Sequence, residues 1–164
     1  MSKKVLITGG NKGIGLAVSR AMLEFGYEII IVARDFDTCP LVGVKNVTAI
    51  EYDLSDVDGL HQLAKTIGNV DILINNAGYM QPKYTYNNYP KEARDHIMNV
   101  DLYTPVELMN IFSEHMKKQK YGRIVNTASI AGQIGHPDVW YGIAKAGLIN
   151  ATKIYGKMLG SHGI

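Results

Sequence analysis

The sequence predicts an α/β fold, a parallel sheet covered by helices on both faces, from three observations. Short apolar runs alternate with amphipathic stretches from one end of the chain to the other. The runs are too apolar to leave a face in water, as strands buried on both sides are. The first run also passes into its helix through a glycine-rich turn, Thr8-Gly-Gly-Asn-Lys-Gly-Ile-Gly15.

The elements follow in order. Val5 to Thr8, Glu28 to Val32, Val47 to Tyr52, Asp71 to Ile74 and Arg123 to Asn126 read as strands, and 14–25, 56–67, 90–117 and 138–160 as helices. In the first helix Ile14, Ala17, Val18, Ala21 and Phe25 form one stripe, with Gly26 as the stop. Pro105 removes a backbone donor and crowds the preceding turn, so the stretch 90–117 is expected to bend or break near it. Residues 76–89, with Pro82 among Tyr and Asn residues, read as a loop.

At 164 residues, 46% hydrophobic and 20% charged, the chain suits one domain spanning 1–164, with no disordered, fibrous or membrane-spanning character. A net charge of +2 argues against a nucleic-acid surface, and Lys117-Lys118-Gln119-Lys120 reads as a solvated helix end. Cys39 is the single cysteine, which excludes an internal disulfide and points to a reduced, cytoplasmic setting. Val5-Leu6-Ile7 is too short, and too soon followed by glycines, for a signal peptide or membrane span. His61, His96, His115, His136 and His162 are scattered without metal-ligand spacing, so no metal site is expected.

Gly9, Gly10, Gly13 and Gly15 lie between an apolar strand and an amphipathic helix. There glycine allows a tight turn and lets backbone N–H groups approach phosphate oxygens, while the helix N-terminus adds positive potential. The spacing departs from Gly-x-Gly-x-x-Gly, and glycines that merely make a turn are the competing reading. Tyr141 and Lys145 stand four apart at the start of a helical pattern, on one face. An ammonium near a phenol favours the phenolate, which suits a general acid for a developing alkoxide. Tyr79 and Lys83 share the spacing, but Gly78 and Pro82 argue against a helix there. Ser129 follows the strand ending near Asn126, at the edge where parallel sheets gather ligands, and its hydroxyl can donate to a carbonyl oxygen.

Thr8 to Gly15, Asp53-Leu54, Asn75-Asn-Ala-Gly78, Asn99-Val100, Ser129, and Tyr141 with Lys145 occur in an order and spacing that resemble the short-chain dehydrogenase/reductase family in its single-domain form. The resemblance covers essentially the whole chain and implies a Rossmann-like doubly wound sheet and hydride transfer between a nicotinamide cofactor and a carbonyl or alcohol. It implies that Tyr141 passes the proton, that Lys145 lowers its pKa and bonds the nicotinamide ribose, and that Ser129 polarises the carbonyl. Asn99 would hold a bend in the long helix and anchor a water relaying protons to Lys145. Gly9, Asn11, Lys12, Gly13, Ile14 and Gly15 would hold the dinucleotide, Asp53 with Leu54 the adenine, and Asn76, Ala77 and Gly78 the strand end beside the cofactor.

By the same resemblance, members that prefer NAD carry an acid at the place of Ala33; Arg34 and Lys12 can instead converge on a 2′-phosphate, which favours NADP(H) over NAD(H). Asp35 would reverse that choice if it ended the strand. The chain reaches Ile164 where relatives enter a sixth strand, so it is expected to be the N-terminal portion of a longer fold, with the last strands and substrate loop beyond it. A chain ending there would keep the cofactor but turn over poorly. A homodimer or homotetramer through the helices near 90–117 and 138–160 is implied. The alternative is a nucleotide-binding or interaction module without turnover.

Overall fold

The computed structural model describes residues 2–81 and 83–164. Five parallel strands form one sheet: β1 (Lys4–Thr8), β2 (Glu28–Ala33), β3 (Val47–Glu51), β4 (Ile72–Asn75) and β5 (Arg123–Asn126), in the order β3-β2-β1-β4-β5. Alternation along the strands sends side chains to two cores. Leu6, Ile30, Val32 and Leu73 meet Leu60, Leu63, Leu108, Met109 and Phe112 on one face, from α2 (Leu60–Ile67) and α4 (Thr104–Gln119). Val5, Ile7, Ile29, Ile31, Ile72 and Ile74 form the other core with Leu16, Val18, Met22 and Leu23 of α1 (Gly13–Glu24) and the buried Cys39.

The expected all-round burial holds for β1, β2 and β4 but not for the outer strands. β3 and β5 are largely exposed or half-buried, and Val125 of β5 is 51% exposed. Apolar side chains on an edge strand lack a second neighbour to cover them.

The stripe expected on α1 is also corrected. Val18 of the stripe packs on the core, but Ile14 and Phe25 are 70% and 76% exposed, and the buried residues of the helix are Gly15 and Ser19. A small face wins because the helix starts against the turn it leaves. A Cβ on Gly15 would lie 2.1 Å from the Gly9 carbonyl oxygen, and the Ser19 hydroxyl is 3.1 Å from the Gly10 carbonyl and 2.9 Å from that of Gly15.

The long stretch breaks as Pro105 predicts. α3 (Lys91–Met98) runs into a π-helical turn, Asn99–Tyr103, before α4 begins at Thr104. Pro105 has no N–H to return to the carbonyl of Asp101, so the α-helical ladder is interrupted there. α2 begins at Leu60 rather than 56 because the Asp56 carboxylate accepts from the Gly59 N–H at 3.1 Å and holds 56–59 as a turn. The last helix, α5, spans Val139–Leu159. Described residues of 76–89 form neither helix nor strand, while Pro82 lies outside the described residues.

Candidate functional site

Strand order reverses between β1 and β4, and a crevice opens beyond their C-terminal ends, the usual ligand position of an open α/β sheet. Thr8 and Asn75 stand side by side at the strand ends. The buried Thr8 Oγ1 accepts from the N–H groups of Asn76 (3.0 Å) and Ala77 (3.1 Å), and the Asn76 amide returns hydrogen bonds to the carbonyls of Thr8 and Gly9, both at 3.2 Å. Gly9 adopts φ +65°, and a Cβ there would meet the Ala77 backbone at 3.0 Å. The glycines therefore permit a close approach of two backbones as well as a turn.

The crevice is a cleft of about 320 Å³ floored by Gly9, Gly15, Asn76, Ala77 and Gly78. Lys12 and Ile14 open onto it at the start of α1, where Lys12 makes no side-chain cap and leaves the first-turn N–H groups to whatever fills the cleft. Gly13 (φ +55°) lies outside the lining and shapes the turn. At the far end are Arg34, Asp35, Asp53 and Leu54, and the Asn11 amide donates to the Asp35 carbonyl at 2.9 Å. β2 ends at Ala33, so Asp35 does not end the strand. Partial burial pushes the Asp53 carboxyl up, but the Ser55 backbone N–H and hydroxyl, with His96 and Arg34 nearby, outweigh it and hold Asp53 below the ordinary carboxylate range.

Tyr141 and Lys145 share one face at the start of α5, with the ammonium 5.7 Å from the centre of the phenol ring. Lys145 is buried. Its Nζ donates to the Thr127 carbonyl at 2.9 Å and lies 3.0 Å from Asp101 Oδ1. Thr127 and Gly78 line the cleft, and the Cβ position of Gly78 is 3.6 Å from that Nζ, so the ammonium lies directly beneath the cleft wall. Ser129 follows β5 and accepts the Ala131 N–H at 3.2 Å, capping a short 3-10 turn.

Asn99 does not reach this centre. Its amide donates to the Ser55 carbonyl at 2.9 Å, and Thr104 donates to the Leu54 carbonyl at 2.6 Å. Both bonds pin the 53–55 segment, so Asn99 shapes the cleft's floor; the extra residue per turn in 99–103 brings Asp101, two positions on, to the place expected of it. Sequence reading missed Asp101, because regular helical spacing would not send residues 99 and 101 to those positions; Pro105 was the only signal. It also missed His96, which lines the cleft edge-on to Tyr79 at 4.4 Å. Asp138 was missed too. Buried at the N-cap of α5, it accepts from the N–H of Tyr141 (3.2 Å) and of Gln81 (2.9 Å) and from the Tyr89 hydroxyl (3.0 Å), tying the 76–89 segment to the helix that carries Tyr141. An Asp just before an apolar helical run was a readable cap signal.

The short chain dehydrogenase family model matches residues 3–164. The chain belongs to the short chain dehydrogenase family. Among curated members it is 32% identical to the uncharacterized oxidoreductase YxjF of Bacillus subtilis (strain 168), over all of this chain and 68% of that protein. It is 30% identical to a 3-oxoacyl-[acyl-carrier-protein] reductase of Synechocystis sp. (strain ATCC 27184 / PCC 6803 / Kazusa), over 97% of this chain and 69% of that one. A 4-hydroxyisoleucine dehydrogenase mutant solved with NADH and succinate superposes with a TM-score of 0.92 at 26% identity, over 99% of this chain and 70% of the other. A metagenomic short-chain oxidoreductase solved with NADP gives 0.89, also at 26%, over 98% and 76%. This short chain dehydrogenase thus shares the Rossmann-like fold of proteins that bind either nicotinamide cofactor. Among its described residues no helix is long and apolar enough to cross a membrane.

Proposed function

We propose that residues 1–164 act as one dinucleotide-binding unit of an NADP(H)-dependent oxidoreductase that interconverts a small carbonyl compound and its alcohol, with Tyr141 as general acid and base. The observation that carries this reading is the buried Lys145 ammonium, set beside the Tyr141 ring and directly under the wall of a glycine-floored cleft.

The cleft fits a dinucleotide. A Cβ at Gly15 would fill the space over Gly9, and the uncapped first turn of α1 offers N–H groups and the positive end of the helix dipole to a pyrophosphate. Gly9, Asn11, Lys12, Gly13, Ile14 and Gly15 would cradle it. Asp53 and Leu54 would border the adenine, and Asn76, Ala77 and Gly78 the strand end. With β2 ending at Ala33, Arg34 and Lys12 both line the cleft and would meet a 2′-phosphate, which supports NADP(H). A bound nicotinamide would supply or take up the hydride. Ser129 Oγ would donate to the substrate oxygen and fix the carbonyl, while the Tyr141 hydroxyl would give that oxygen its proton in reduction and remove it in oxidation. Lys145 would favour the phenolate and so ease that transfer.

NADPH oxidation with a panel of aldehydes and ketones tests the reading. Tyr141→Phe should lower the rate by about 100- to 10,000-fold with NADPH still bound. Equal rates for the two proteins, with NADPH bound by both, would instead indicate a binding module. Arg34→Glu should weaken NADPH binding by about tenfold and leave NADH binding nearly unchanged. An unchanged preference would remove Arg34 from the argument.

A further inference from the structure

We infer that Asp101 is a positioning residue, the counter-charge of Lys145, and that this buried pair governs the pH range over which Tyr141 passes its proton. The inference rests on the oxidoreductase reading above.

The pair is closed off from solvent: the Lys145 and Asp101 side chains are 4% and 0% exposed, with Nζ and Oδ1 3.0 Å apart. Asp101 Oδ2 accepts the Tyr79 backbone N–H at 2.9 Å, whereas among the described residues Oδ1 is met by the Lys145 ammonium alone. One oxygen thus fixes the carboxylate to the segment following β4, and the other fixes the lysine. The interruption of the helix at Asn99–Tyr103 orients this side chain, and Gly78 makes room for it, since a Cβ there would lie 3.0 Å from Oδ1. An ammonium held this way keeps its position, but part of its field at the phenol is cancelled by the carboxylate paired with it.

Charged and titratable groups around the carboxylate come from each neighbouring element. Lys145 and Tyr141 lie on α5, Asp138 at its N-cap, the Tyr79 phenol after β4, and His96 on α3 against that phenol. Burial pushes the Asp101 carboxyl above its ordinary range; Lys145 and the Tyr79 N–H pull it down, and Asp138 adds to the upward push.

Asp101→Asn tests this, because the amide oxygen can still accept the Tyr79 N–H while the negative charge is gone. Two measurements run in parallel: pH profiles of NADPH-dependent carbonyl reduction, and ultraviolet titration of the Tyr141 phenol, read as each protein minus its own Tyr141→Phe version. Both apparent pKa values should fall by about one unit in Asp101→Asn, with the KM for NADPH unchanged. Unshifted or raised values would overturn the role of Asp101. The titration needs no turnover, so if the proteins bind NADPH but reduce nothing, the oxidoreductase reading fails while the titration still decides the pair. If Asp101→Asn does not fold, Asp101→Ser removes the charge and keeps an acceptor for Tyr79.

Discussion

The ends of β1 and β4 and the region around β5 and the start of α5 reach their geometry in different ways. At β1 and β4 the crevice is built almost wholly from backbone and short side chains. Thr8, Asn76, Gly9 and Gly15 lock one another at van der Waals or hydrogen-bond distance, on strands buried to the last residue. At β5 the strand is half open, and position is kept by side-chain polar links. Asn75 donates to Asn126 at 2.8 Å, Asn126 to Thr152 at 2.9 Å, Lys145 meets Asp101, and Asp138 gathers the 76–89 segment. The cleft at β1 and β4 is thus built on sterics that tolerate little, whereas the surroundings of Tyr141 and Lys145 are built on charges and hydrogen bonds that can be retuned one at a time.

The largest expected effect lies in the first region. Gly15→Val should abolish NADPH binding and lower stability by about 3 kcal/mol or more, because its Cβ would overlap the Gly9 carbonyl and crowd Asn76 Nδ2 at 2.5 Å. Fluorescence titration and thermal melting check both; a variant that still bound NADPH would break the contrast. Leu73→Ala, at the centre of the sheet, should cost about 2–5 kcal/mol, whereas Val125→Ala on β5 should cost about 0.5 kcal/mol. Denaturant melts giving equal losses would show that β5 is covered in solution.

Asp138→Ala should cost about 1–2 kcal/mol through the lost cap and release the Gln81 N–H and Tyr89 hydroxyl. Hydrogen exchange should then rise in 83–89 while α1 stays protected. The acid side of the Tyr89 phenol sharpens this. Burial and the Asp138 carboxylate raise its pKa in the folded protein, so its contribution is present at neutral pH and is lost only as pH climbs through that raised value. Asp138→Ala should weaken that alkaline dependence, leaving the part that burial causes. Asp53→Asn should weaken NADPH binding about fivefold, through one charge-assisted hydrogen bond.

The same division decided what could be read from the sequence. The sheet, its strands and the glycine turn were legible because they rest on local signals: apolar period, glycine spacing and flanking helix. The α1 stripe held at Val18 but not at its ends, because Gly15 and Ser19 are the buried positions for steric reasons that hydrophobicity does not encode. The open edge at β5 was legible from the resemblance, since relatives place a sixth strand beside it that residues 1–164 do not contain. Helical spacing put Tyr141 and Lys145 on one face, but the acidic partner of Lys145 depends on a π-turn that only the packed helix reveals. Asn99, expected to hold a bend in the long helix and anchor a water relaying protons to Lys145, does open the π-helical turn, while its side-chain amide holds the 53–55 segment through Ser55.

The most direct measurement is a single-turnover reaction of NADPH with a reducible carbonyl compound, comparing this chain with Tyr141→Phe after both are shown to bind NADPH. The account predicts loss of NADPH absorbance with the original protein and a rate lower by about two orders of magnitude or more in the variant. Equal rates, or none in either protein, would contradict it.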